Sequence, residues 1–325
     1  MDYRTAVLSS ITEERERFGE VFRCSLRHEN PLLNQVLEHV LRTSGKKMRP
    51  MLVLLAAKLF GKVNEATMHA AIALELLHNA SLVHDDVVDE SGERRGEPSV
   101  NAAFGNKVAV LSGDYLLATG LLEVEKTGNL AIMDIFFRLG RDLADGELLQ
   151  LHHAALEDYS YETYFEVIRK KTAILFEACA SAGALSVGAS EQEVEMMRRF
   201  GELVGLCFQI KDDIFDYVSD SRQVGKPTGN DIAGGKLTLP LLYALNQTHD
   251  AEAGRIASRV KSGDVTREEI LWLIDFTVGQ GGIAYAEQVM NRYREEAAAL
   301  LETVPSCEVK TSLLAYMDLV IHRER

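Results

Sequence analysis

The sequence predicts an all-α protein, and three observations carry that expectation. The six prolines, Pro31, Pro50, Pro98, Pro227, Pro240 and Pro305, each fall at a helix start or in a loop. Proline in a helix interior costs about 3 kcal/mol, so the proline-free stretch from Pro98 to Pro227 permits long helices. Apolar residues recur at steps of three and four, as in Ile72, Leu76, Ala80 and Val83 and in Leu203, Leu206, Ile210 and Ile214. Alternating apolar and polar runs bounded by turn residues, the mark of strands, are nearly absent.

Along the chain, an apolar helix is expected from near Glu65 to an acidic cluster at Asp85. A second is expected over Glu202–Ile210, before a cluster at Asp212. Each cluster leads into a loop-like stretch, Ser91 to Pro98 after the first and Gly225 to Lys236 after the second. No Gly/Ser linker, repeat or low-complexity tract divides the 325 residues, so one domain spanning 1–325 is expected. Trp272 and the methionines are expected in the core, and His152-His153 on the surface.

Composition excludes several classes. The chain carries 35 Lys+Arg against 49 Asp+Glu, net −14, which disfavours nucleic-acid binding driven by phosphate neutralisation. The four cysteines, Cys24, Cys179, Cys207 and Cys307, form neither a C-x-x-C pair nor a disulfide framework and read as reduced thiols. The charged N-terminal stretch is unlike a signal peptide, and no uncharged apolar run of about 18 residues suggests a membrane span. A cytoplasmic protein without stable membrane insertion is expected.

The chemistry-bearing residues are two aspartate clusters, Asp85-Asp86-Val87-Val88-Asp89 and Asp212-Asp213-Ile214-Phe215-Asp216. Residues four apart share a helix face, so Asp85 lies beneath Asp89 and Asp212 beneath Asp216. Like charges at that spacing, near helix C-termini, work against both the helix and its dipole. A solvated acidic helix end explains one such cluster. Two, each behind an apolar helix and each followed by basic residues, suit magnesium held by carboxylates and substrate phosphates. The basic candidates are Lys46, Lys47 and Arg49, then Arg94 and Arg95, Arg169 to Lys171, Lys211, Lys226 and Lys236. Glu75-x-x-His78 matches half of a di-iron motif, but no other histidine has a glutamate three residues before it.

These residues resemble the trans-isoprenyl diphosphate synthases, the polyprenyl synthetase family. The resemblance runs from Gly45 to Leu245 through Ser44–Pro50, Leu76–His84 with the first cluster, Arg94-Arg95-Gly96, Gly113-Asp114, Lys171-Thr172-Ala173, Phe208-Gln209 with the second cluster, Gly225-Lys226-Pro227 and Gly235–Pro240. It implies an antiparallel helical bundle around a deep apolar cavity, with both motifs at its mouth. It also implies a homodimer that joins an allylic diphosphate to isopentenyl diphosphate, releases pyrophosphate and repeats. By position, Asp85 and Asp89 would bind two magnesium ions on the allylic diphosphate, with Asp212 and Asp216 for a third; manganese is an alternative. Arg94, Lys171, Thr172, Gln209, Lys226 and Lys236 would serve the allylic substrate. Lys46, Arg49, His78 and Arg95 would form the isopentenyl diphosphate pocket. The catalytic set is Asp85, Asp86, Asp89, Lys171, Gln209 and Asp212, with Asp86 and Asp213 as possible supports for the ligands. Ser44 and Lys47 depart from the family's usual Gly and Arg, so Lys47 is assigned no ligand role.

The growing tail is expected to run down the helix before Asp85. At 1.5 Å rise per residue, Ala80 lies ~7.5 Å and Leu77 ~12 Å below that residue. Ala80 and Ser81 stand where short-chain members carry bulky aromatics, so Leu77, Ala80 and Ser81 leave the path open. The stretch Asp85–Gly105 resembles bacterial octaprenyl synthases most, and a floor is expected within Leu116–Phe137. Competing readings are a farnesyl or geranylgeranyl synthase, a terpene cyclase and a non-catalytic partner subunit.

Overall fold

The computed structural model describes residues 3–43, 45–154, 160–218 and 228–323. Lys226, with Gly225 and Pro227, lies outside the described residues, as do Ser44 and the side chain of His153. The described chain is helical throughout, apart from the strands Glu93–Arg94 and Glu97–Pro98. No helix among the described residues is long and apolar enough to cross a membrane. The chain forms two compact units, residues 1–140, 175–201 and 304–315, and residues 141–174, 202–303 and 316–325.

The first unit is built on the helix Glu65–Val88, which packs along Asn106–Glu125 and Met48–Phe60. A capping box starts it: Asn64 Oδ1 accepts from the Thr67 amide at 3.0 Å and Thr67 Oγ1 from the Asn64 amide at 3.3 Å. Its residues from Ala70 to Ala80 are buried on all sides, as is Pro50–Ala57 on the neighbouring helix. Gly113 lets two helices meet, because a Cβ there would come within 2.2 Å of His84 Nε2.

The second unit has its own core of Tyr217, Ile232, Leu241, Ile256, Val260, Ile270 and Leu273. Pro240 sits in the first turn of Leu239–Thr248, where its missing N–H costs nothing. Gly282 allows Gly282–Leu300 to approach the Pro240 carbonyl, which a Cβ would meet at 2.3 Å. The helix Glu191–Val218 begins well before Glu202, since its first turns are polar and lack the apolar spacing sought there. Trp272 corrects its expected core placement: it stacks on Phe276 but is 40% exposed, on the outer face of Arg267–Gly279. Met51, Met68, Met197, Met290 and Met317 are buried as expected.

Candidate active site

In the first unit the helix Glu65–Val88 ends on the aspartate motif, with Asp89 as its C-cap and Glu90 in the left-handed region. Asp85 is half-buried and Asp89 exposed, whereas Asp86 is buried. Asp86 accepts a fork from Arg94, whose Nε lies 3.1 and 3.2 Å from its two oxygens and whose Nη2 also donates. The first motif therefore offers two accessible carboxylates around one that anchors the following hairpin. In that hairpin Glu93 pairs with Pro98 and Arg94 with Glu97, and the turn residues Arg95 and Gly96 both have positive φ. This aims Arg95 back at the chain before Lys46. Its Nη1 donates to the Thr43 carbonyl at 2.9 Å, and a Cβ on Gly45 would stand 2.5 Å from the same nitrogen.

His78 gathers the cations. Its Nε2 accepts from Arg49 Nη1 at 2.9 Å. Burial holds its pKa well below the ordinary value, and Arg49, Arg95, Lys47 and Arg94 push it the same way. A neutral His78 thus positions Arg49, which also lies over the Phe176 ring at 4.9 Å. Lys47 is bound to Glu75 Oε1 at 3.0 Å and lies over the Phe22 ring, while Lys46 is exposed. Glu75 and His78 therefore serve separate cations, which removes the di-iron reading.

The protonation state has a consequence for stability. The folded-state pKa of His78 is below its unfolded value near 6.5, so between those values the unfolded chain binds the extra proton. This contribution is full above about pH 6.5 and is lost as the pH falls towards the folded-state value. The melting-temperature difference between wild type and His78→Gln is expected to shrink from pH 8 to pH 5.5; a constant difference would contradict it.

In the second unit the motif lies near the end of Glu191–Val218. Asp213 is buried, accepting from Tyr164 Oη at 2.6 Å and Gln209 Nε2 at 2.8 Å. Gln209 Oε1 in turn accepts from Thr172 Oγ1 at 2.8 Å, so the chain of bonds fixes the amide's orientation. Burial, with Asp231 nearby, raises the Asp213 pKa well above the usual carboxylate range. Asp216 is also buried, and its two oxygens accept from the amides of Asn230 and Asp231, both at 2.9 Å. It thereby holds the start of the segment leading to Lys236, whose Nζ is 3.7 Å from Asp231. Asp212 stays half-buried and meets Arg323.

Lys171 and Thr172 sit in a π-helical turn, Arg169–Ala173, which inserts an extra residue and re-aims the helix. Lys171 Nζ bonds Glu147 at 2.7 Å and Gln150 at 3.2 Å. Lys171, Thr172, Gln209, Asp213 and Lys236 line one cavity of about 160 Å³, together with Tyr164. Tyr164 and Glu147 escaped sequence reasoning, as did the pairing of Arg323 with Asp212. A lone tyrosine has no motif, and nothing in local spacing connects residue 323 to residue 212.

Among the described residues no group of three or more His, Cys, Asp or Glu side chains forms a metal cage. In each unit the motif carries a carboxylate that is at least partly exposed, Asp85 and Asp89 in the first and Asp212 in the second, and carboxylate oxygens are the donors that hard cations take.

The polyprenyl synthetase family model matches residues 30–276. The octaprenyl diphosphate synthase of Escherichia coli (strain K12) is 33% identical over 300 residues, covering 92% of this chain and 93% of that protein. A geranylgeranyl pyrophosphate synthase from Bacteroides thetaiotaomicron superposes with a TM-score of 0.88 and 49% identity, covering 99% of this chain and 100% of that one. A polyprenyl synthase from Caulobacter crescentus CB15, crystallised with calcium and isoprenyl diphosphate, gives 0.91 and 30%, covering 98% and 97%. With an all-α fold shared with these synthases and a family match over most of its length, the chain belongs to the polyprenyl synthetase family and is a prenyl-transferring enzyme.

Proposed function

We propose that the protein extends an allylic diphosphate, farnesyl diphosphate in the first instance, with isopentenyl diphosphate to a long all-trans chain of octaprenyl length. The observation that carries the diphosphate chemistry is the gathering of Lys47, Arg49, Arg94 and Arg95 about a neutral His78 in a chain of net charge −14. Lys46, Arg49, His78 and Arg95 would hold isopentenyl diphosphate, and Arg94 would join the residues that hold the allylic diphosphate. Lys171, Thr172, Gln209, Lys226 and Lys236 would hold the allylic diphosphate.

Asp85, Asp89 and Asp212 would hold magnesium or manganese, three ions in all. Asp216, bound to two backbone amides, would contribute by fixing the Lys236 segment. Bound metal would neutralise charge developing on the departing pyrophosphate. The lysines add fixed positive charge there, and the Gln209 and Thr172 oxygens place dipoles near the allylic cation. Burial around Ala80 and Leu77 would keep water from that cation. Pyrophosphate is proposed to take the final proton.

Chain length rests on the first unit. Gly140 of the helix Leu130–Ala154 stands beside Leu77, where an added Cβ would lie 3.9 Å from Leu77 Cδ1. One turn away, Phe136 is buried against Gly120 and beside the Ala73 carbonyl. Ala73 is ~18 Å down the helix from Asp85. Ala80 and Ser81 would therefore pass the tail and Phe136 would stop it at this level; an extended tail of octaprenyl length outruns ~18 Å, so that product needs a tail that bends away from the helix above Phe136. A geranylgeranyl endpoint is the second reading, favoured by the 49% identity to the Bacteroides synthase. Val110, Leu111, Leu121 and Leu122 share an exposed face of Asn106–Glu125, with Leu111 68% and Leu122 64% exposed, which supports a homodimer. The enzyme is placed in the cytoplasm.

Mixing purified protein with both diphosphates is expected to release pyrophosphate with magnesium present and none after chelation. Release unaffected by chelation would contradict the metal role; no release until a second chain is added would make this a partner subunit.

A further inference from the structure

We infer that Arg323 is a positioning residue for the second aspartate motif, a built-in counter-cation that a divalent ion must displace from Asp212. The inference rests on the proposed role of Asp212 as a metal ligand. It begins with the last helix, Glu308–His322, which delivers Arg323 directly beyond its end. Arg323 Nη2 donates to Asp212 Oδ1 at 2.7 Å and to the Phe208 carbonyl at 2.8 Å. Its guanidinium lies 3.7 Å from the Phe208 ring centroid and 5.7 Å from that of Phe215. Residues 208, 212 and 215 follow steps of four and three, so one face of the motif helix receives the whole side chain. The arginine side chain is only 16% exposed against 44% for Asp212, and its Nε is buried with no hydrogen-bond partner among the described residues. This is a seated group and not a fraying end.

The choice of carboxylate is informative. Asp213 accepts from Tyr164 and Gln209, and Asp216 from two backbone amides. Arg323 engages the remaining member of the motif, the one open enough to take a cation from solvent. Arginine and a metal ion cannot both take the same oxygen at bonding distance. The apparent affinity of Asp212 for a bare ion is then reduced to the fraction of its intrinsic value given by the molecules in which Arg323 is unseated. An ion arriving with a diphosphate meets the same factor, and its additional contacts offset it. Arg323 thus keeps Asp212 from taking up a bare ion at low concentration, while a metal–diphosphate complex, held by further contacts, still fills the motif.

The test is manganese binding to the full chain without substrate, followed by electron paramagnetic resonance, with thermal melting as the folding control. Arg323→Gln is expected to bind manganese about threefold to fivefold more tightly than wild type. Arg323→Lys, which keeps the charge without the fork, should fall between them. In an Asp212→Asn background, Arg323→Gln should change nothing. Equal or weaker binding by Arg323→Gln overturns the inference, as does the same tightening without Asp212. If Arg323→Gln melts early, the lysine variant decides alone, and unchanged binding by it overturns the inference. Asp212→Asn alone separates the two layers: wild-type binding by that variant refutes Asp212 as a ligand, whereas loss of a site with no arginine effect refutes only the role of Arg323.

Discussion

Asp85→Asn and Asp89→Asn are each expected to lower kcat by roughly 100- to 1,000-fold, the scale of losing one group that stabilises transition-state charge. The fold should survive, because Asp85 is half-buried and Asp89 exposed, whereas Asp86 is buried against Arg94. Asp86→Asn should behave differently. It removes the charge that holds Arg94 and loosens the hairpin, and with Arg94 one-third exposed the loss is about 1.5–3 kcal/mol. The comparison needs kcat and melting temperature on the same preparations. A catalytic loss without a melting shift for Asp85 and Asp89, and a clear melting shift for Asp86, is the expected result. Near-normal kcat in Asp85→Asn would remove the first motif from the chemistry.

Phe136→Ala is expected to lengthen the product beyond the wild-type endpoint, and Ala80→Phe to shorten it. The two substitutions act on one path from opposite ends. Ala80 is buried ~7.5 Å below Asp85, and a phenyl group there would obstruct the path near its mouth. Phe136 is buried at the level of Ala73, against a glycine that leaves room for its ring. Truncating it costs about 3–5 kcal/mol of stability, so Phe136→Leu serves as the milder variant. Product chromatography reads the outcome directly. Unchanged lengths in both folded variants at position 136 would move the floor elsewhere, and an unchanged length in Ala80→Phe would refute the tail path.

The fold class was legible because proline placement and three-to-four spacing are local signals. The helix Glu65–Val88 follows the expected start and ends at the expected motif. Helix lengths were less legible where polar turns precede an apolar stretch, as at Glu191, and Trp272 shows that a large aromatic can lie on an outer face. At the site, residue types announced carboxylates and cations but not their division of labour. Within one D-D-x-x-D motif, Asp86 takes Arg94 while Asp85 and Asp89 remain more open. Within the other, Asp213 orients Gln209, Asp216 caps backbone amides and Asp212 meets Arg323. These roles depend on burial and on partners as distant as 111 residues in sequence, which a motif does not encode.

The most direct measurement is incubation of the purified protein with labelled isopentenyl diphosphate and farnesyl diphosphate, resolving products by chain length with and without magnesium. A magnesium-dependent ladder ending at octaprenyl diphosphate is the result the proposed function predicts. A ladder that stops at geranylgeranyl diphosphate would contradict the proposed octaprenyl length, and elongation without any divalent ion would contradict the role given to the aspartates.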